Sequence, residues 1–198
     1  MDMWKRLLII AAVLWGAHHW WHSRAVFHGP GVVAAAAPIQ HEISSANAFD
    51  VHGYQVTPLA DFTVEARVLS RENYHVGREA DLSQTDFALG WGRMSDESIL
   101  KNIEISQSNR FFFWRVQEFP IPERELETSA ANMHLIPSDK NIAREIDDVR
   151  PGQVVHLEGY LVRVDASDGW HWISSLTRED TGAGACELFY VRQLRVVL

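Results

Sequence analysis

Two kinds of apolar patterning run along this chain. Leu7–Ala17 is an unbroken apolar run of eleven residues, apolar all round, with no polar face at helical spacing. Further on, Phe62, Val64, Ala66 and Val68 alternate with polar neighbours in FTVEARVLS, the period of a half-buried strand. That period predicts strands over 53–59 and 62–70. The run FFFWRV, within a strand expected over 111–118, is too aromatic and continuous for one solvated face, so both its faces are expected to be covered. Strands are also expected over 103–106, 154–164, 170–176 and 186–197, with Asp168-Gly169 turning the chain between 154–164 and 170–176. Residues 80–92 read as irregular around GWG.

Helical signals are fewer. Ser95 stands before Asp96 and Glu97 and reads as the cap of a short helix over 96–103. A second short helix is expected over 123–131, after Pro120 and Pro122. Ile142, Ala143, Ile146 and Val149 recur at helical spacing and predict a helix over 139–149, stopped by Pro151-Gly152. The body is therefore expected to be α+β and mainly β. It should form a small curled sheet or a barrel of OB-like or SH3-like architecture, with two or three short helices.

The opening run predicts a membrane address. Lys5 and Arg6 precede it, and His18, His19, Trp20 and Trp21 follow it. Eleven residues suit the h-region of an export signal. A helix continued from Leu7 to Phe27 would be roughly 32 Å long, enough to cross a bilayer. Ser23 and Ala25 have the size for a cleavage site, but His22 and Arg24 make the approach polar, and Ala34–Ala37 lie far downstream. The reading favours a retained single-pass transmembrane helix over 1–27, in contact with lipid through 7–27, in a bacterial inner membrane. Lys5 and Arg6 put its start in the cytoplasm, so the body faces the periplasm. Residues 28–40, HGPGVVAAAAPIQ, read as a linker, and 41–198 as one extracytoplasmic domain.

Charge narrows the partners. Residues 1–40 carry a net charge of +2 and residues 41–198 a net charge of −10. An acidic body repels phosphate backbones, and the longest basic cluster in it, Arg192 to Arg195, holds two charges, so no nucleic-acid partner is expected. The single cysteine, Cys186, excludes an internal disulfide.

The cluster Trp172–Val191, WISSLTREDTGAGACELFYV, holds most of the candidate chemistry. Cys186, His134 and an acid such as Asp139 supply the residue types of a thiol nucleophile, its base and the group that orients the base. Cys186 also opens the strand pattern CELFYV, where a packed thiol is the commoner outcome. Arg178, Asp180 and Glu187 flank a Gly-containing loop that reads as a turn rather than a cation loop. Trp170 and Trp172 share a strand face and have the chemistry to stack on a sugar or a peptide, although such a face is more often core. His156 and His171 sit in neighbouring predicted strands. No HExxH, Walker loop, dinucleotide fingerprint or CxxC is present, so no metal and no cofactor are expected.

The segments ALGWGRMSD, SAANMHLIPSD, LEGYLVRV and SSLTREDTGAGACE, with the apolar start and the PGVV linker, resemble a group of bacterial membrane-anchored proteins without an assigned activity. The resemblance implies an inner-membrane location and carries no catalytic residue. The function expected from the sequence is a non-enzymatic, membrane-anchored extracytoplasmic binding or scaffold domain with a protein or envelope partner. The alternatives are an envelope hydrolase using Cys186 with His134, or a metal-dependent module.

Overall fold

The structure is a computed structural model that describes residues 3–180, 182 and 184–198, with 18–23 described through the backbone alone. Five strands close into a ring: β3 (Tyr54–Asn73), β4 (Thr85–Gly90), β7 (Ala130–Pro137), β8 (Val154–Asp165) and β10 (Glu187–Val196). β3 pairs β4, β4 pairs β7, β7 pairs β10 in parallel, β10 pairs β8, and β8 returns to β3. Numbered within the ring the order is 1-2-3-5-4-1, the connectivity of an OB-type barrel. Three short strands lean on it: β1 (Ile39–Glu42) and β2 (Phe49–Val51) on β3, and β9 (His171–Ile173) on β8. A separate hairpin of β5 (Ile103–Ser108) and β6 (Phe111–Val116) is inserted between β4 and β7.

The barrel interior is filled by alternate residues of every ring strand, including Phe62, Val64, Phe87, Leu89, Met133, Leu135, Leu157, Leu161, Phe189 and Val191. One end is closed by helix α4 (Lys140–Asp148), whose Ile142 and Ile146, with Val149 just beyond it, reach this core. Asp139 starts that helix by accepting from the backbone N–H groups of Asn141 and Ile142 at 2.6 and 3.1 Å. Gly159 lies where β8 presses on β10, and a Cβ there would meet the Tyr190 carbonyl at 2.0 Å. A second cluster, Val56, Leu82, Ile136, Val162, Val164 and Leu188, lies on the outer face beneath β2 and β9. A third packs the inner side of the β5–β6 hairpin against helices α2 (Glu97–Leu100) and α3 (Glu123–Thr128).

Several expectations change. The two strands expected over 53–70 are one strand, β3, bent by register shifts after Pro58 and after Val68. β4 was expected as irregular chain. It is buried at every position, so it shows no alternation to read. β7 is also buried along most of its length, and it begins at Ala130, where a helix was expected to end. The cap of α2 is Asp96, not Ser95. β6 is covered on one face only: Phe112, Trp114 and Val116 turn inward, while Phe111, Phe113 and Arg115 face solvent.

The transmembrane helix is the largest correction. Helix α1 (Met3–Ser23) forms, but no helix among the described residues is long and apolar enough to cross a membrane. Lys5 and Arg6 at one end and His18 and His19 at the other confine its apolar part to Leu7–Ala17. Eleven residues span about 16 Å, roughly half a hydrocarbon core. A single-pass inner-membrane anchor is therefore not supported. Residues 28–40, expected as a linker, run along the barrel, and Ala34 is buried beneath the backbone turn at Gly92–Ser95.

Candidate functional site

β4 and β7 lie side by side and direct alternate residues to opposite faces. Phe87, Leu89, Met133 and Leu135 point into the barrel, so Asp86, Asn132 and His134 stand on the outer face. The parallel partner β10 adds Leu188 to that face opposite His134, and Cys186 precedes it at the same parity. The tip of the β5–β6 hairpin brings Arg110 and Gln107 over this surface, and β9 brings Trp172.

A dense polar network results. Asp86, fully buried, accepts from Arg110 Nη1 at 2.7 Å, and Ser83 Oγ lies 3.5 Å from the same carboxylate oxygen. Its other oxygen lies 2.9 Å from His134 Nδ1, in a geometry that falls short of a hydrogen bond. Arg110 also donates to the Ser83 carbonyl at 2.8 Å and lies 3.9 Å from the centre of the Tyr74 ring. Asn132 donates to the Arg110 carbonyl at 3.0 Å and accepts from Gln107 at 2.6 Å. The His134 ring rests against Trp172, with centroids 4.8 Å apart.

Cys186 sits at the edge of this network. Its Sγ is 3.6 Å from the Arg110 carbonyl and 3.7 Å from Asn132 Nδ2. Burial pushes the thiol up to about 11, and the nearby carboxylates Glu187, Asp86 and Asp180 add to that effect against the Asn132 donor. A thiol in that state is a poor nucleophile at neutral pH. His134 and Cys186 thus share one face, as the triad expectation requires, but Asp139 is spent on capping α4. The acid beside His134 is Asp86, which sequence reasoning missed because TDFALG gave no strand signal.

Arg178 and Glu187 lie on the opposite side of the sheet. Glu187 is 1% exposed and shares its strand parity with the core residues Phe189 and Val191. Arg178 Nε approaches Glu187 Oε1 to 2.9 Å, and its guanidinium lies 5.3 Å from the Phe62 ring centre. The pair is poorly completed: Glu187 Oε2 and Arg178 Nη2 are buried without a hydrogen-bond partner. Burial outweighs the attraction of Arg178 and pushes Glu187 up to about 8. Asp180 turns away from both, accepting from Ser175 Oγ at 2.7 Å, and Glu179 pairs with Arg124 at 3.1 Å. The acidic loop does not converge, and no cluster of three or more metal-ligating side chains occurs among the described residues.

The two tryptophans do share a face, with ring centroids 6.3 Å apart, but their surfaces are already engaged. Arg78 lies 4.8 Å from the Trp170 ring centre and forms a two-pronged pair with Asp168 at 2.8 and 3.0 Å. Trp172 meets His134 and, at 5.8 Å, Arg110. His156 and His171 do not meet. His156 bonds Glu158 at 2.7 Å, and His171 pairs in register with Asp165.

The open surface lies elsewhere. The outer face of the β5–β6 hairpin presents Phe111 at 38% and Phe113 at 49% exposure, and among the described residues neither strand pairs with a third. Clefts of about 880 and 500 Å³ flank it, the first lined by Lys101, Glu118 and Phe119 among others, the second by Ser106 and Phe113. No family model, no curated protein and no solved structure matches the chain.

Proposed function

We propose that the chain is a non-enzymatic binding or scaffold domain that works outside the cytoplasm and docks a protein partner on the β5–β6 hairpin. One observation carries the reading. The hairpin leaves Phe111 and Phe113 in solvent beside unpaired strand edges, while the side chains able to do chemistry are turned on one another. Exposed aromatics next to a free edge suit partner capture, by side-chain anchoring or by strand addition. Export is supported by the apolar run behind Lys5 and Arg6, whose length fits a signal h-region.

A photo-crosslinking side chain at position 113 in the full chain, in cells, tests the docking surface. The expected result is one dominant adduct, reduced at least tenfold by Phe111→Ser at unchanged melting temperature. No adduct at 113, with adducts at a control site on β1, would sink the proposal. A second reading, a hydrolase using Cys186 and His134, draws support from the closeness of Asp86 to His134 Nδ1. Turnover of an ester or peptide substrate that is lost in Cys186→Ala would favour it over binding alone.

A further inference from the structure

We propose that the chain is processed by hydrolysis of the Ala25–Val26 peptide bond, and that the new N-terminus stays clamped to the barrel. The inference rests on the export reading above and adds to it the bond that is cut and what holds the product.

The strap that ties the chain to the barrel begins at residue 26. Val26 N–H donates to the Pro151 carbonyl at 2.7 Å, and His28 Nε2 donates to the Gly152 carbonyl at 2.7 Å. Gly152 makes the approach possible: it sits at φ +89°, and a Cβ there would lie 1.9 Å from the Val26 carbonyl oxygen. Further along, Gly31 N–H donates to Asp96 Oδ1 at 2.9 Å and Ala34 N–H to Ser95 Oγ at 3.0 Å, while the Ala34 carbonyl accepts from Gly92 N–H at 2.8 Å. Residues 26–34 are therefore a strap with a defined seat, tied at both ends.

Upstream, the physical character reverses. α1 ends at Ser23, and Arg24 and Ala25 are exposed and non-helical. Leu7, Leu8, Ile9, Ile10, Val13 and Leu14 are each more than half exposed, so the helix buries little of its apolar surface against the barrel. Apolar surface left in water is unfavourable, so a helix of this kind is poorly served by water. The apolar run is too short to stay across a bilayer and the right length for an h-region. A leader peptidase needs small side chains one and three residues before the cut, and Ala25 and Ser23 supply them. The start of the strap and the cleavage pattern thus fall at the same place, on independent grounds.

In the step itself, water adds to the Ala25 carbonyl and the C–N bond breaks. Ala25 leaves as a carboxylate carrying the water oxygen, and the Val26 nitrogen takes both water protons to become an α-ammonium. That group retains the donor that meets the Pro151 carbonyl, now with a charge behind it, so cutting leaves the first clamp bond intact.

The test uses the full chain with a C-terminal tag, made in a secretion-competent bacterial host. Intact mass and N-terminal sequencing are expected to give a product starting Val-Phe-His-Gly-Pro. Ala25→Trp is expected to raise the uncut fraction at least tenfold. A full-length product, or a different N-terminus, overturns the processing. External protease added to spheroplasts reports the location separately: a digested body with an uncut leader overturns processing alone, and a protected body overturns the export reading as well. For the clamp, added aminopeptidase should trim the His28→Ala product at least several-fold faster than the wild-type product. Equal rates would overturn the strap's role.

Discussion

Two carboxylates are buried on opposite faces of the same curled sheet, each beside an arginine, and they fare differently. Asp86, on the outer face, accepts an aligned bond from Arg110 on one oxygen, with Ser83 near the same atom; its other oxygen, like one of Glu187's, makes no hydrogen bond but lies 2.9 Å from His134 Nδ1. Glu187, on the inner face, has one arginine at 2.9 Å and an oxygen with no partner, among aliphatic and aromatic neighbours. The inner carboxyl is pushed up to about 8 by burial. A single opposite charge does not replace water for a group sealed in a barrel; a shell of several donors comes closer. The inner pair tends to neutralise its carboxyl.

The largest effect that would break this comparison is at the arginines. Arg110→Ala should strand Asp86 as an uncompensated buried charge and cost about 3–5 kcal/mol in urea unfolding. Arg178→Ala should cost clearly less, because Glu187, pushed up to about 8, already holds its proton at pH 7 and is not left as a buried charge. Equal losses from the two substitutions at pH 7 would mean that the two faces do not differ in the way argued.

The difference between the faces also explains what was legible in the sequence. β8 and β10 were readable because their apolar runs are long, and α4 because Ile142, Ile146 and Val149 keep helical spacing above a capping Asp139. β4 and β7 were not readable. Each is buried on both faces, by the core on one side and by Arg110, Gln107 and Trp172 on the other, so neither alternates. The candidate site sits on those two strands, and so half of it was invisible. His134 and Cys186 stood out by residue type, and Asp139 was chosen for want of a strand at Asp86. The covering residues Arg110 and Gln107 come from the hairpin inserted between β4 and β7, which no local pattern folds back over β4. The apolar start was read correctly as helical and wrongly as a span, because the His and Trp residues after Ala17 were counted as part of the crossing.

A smaller effect sharpens the inner half of the comparison. Unfolded, Glu187 loses its proton near the ordinary carboxyl value of about 4.3; folded, it holds the proton to about 8. Between those values the folded state binds more protons than the unfolded state. Its contribution to stability is therefore complete below about pH 4 and is lost as pH rises toward 8. At roughly 1.4 kcal/mol per pH unit for one proton, the loss between pH 5 and pH 7 is about 2–3 kcal/mol. Glu187→Gln should remove this slope and be more stable than wild type at pH 8. A slope that persists in the variant would assign it to other groups.

The smallest change in free energy is read out at Cys186, which lies where the two faces meet. Its sulfur belongs to the outer network through Asn132 and the Arg110 carbonyl, yet it also feels the carboxylate of the next residue, Glu187. With the thiol raised from 9.0 to about 11, the thiolate at pH 7 is about a hundredfold scarcer than for an ordinary cysteine. Labelling of the folded chain with iodoacetamide at pH 7 should be slower than that of the urea-unfolded chain by at least that factor. Glu187→Gln should leave the rate at pH 7 nearly unchanged, because that carboxyl already holds its proton there, and Asn132→Ala should slow it by removing the one donor that favours the thiolate. Fast labelling of the folded wild type would reverse the argument. It would mean that the outer face sustains an ionised sulfur beside His134, and the cluster would then have to be read as a nucleophile and its base rather than as a packed and partnered network.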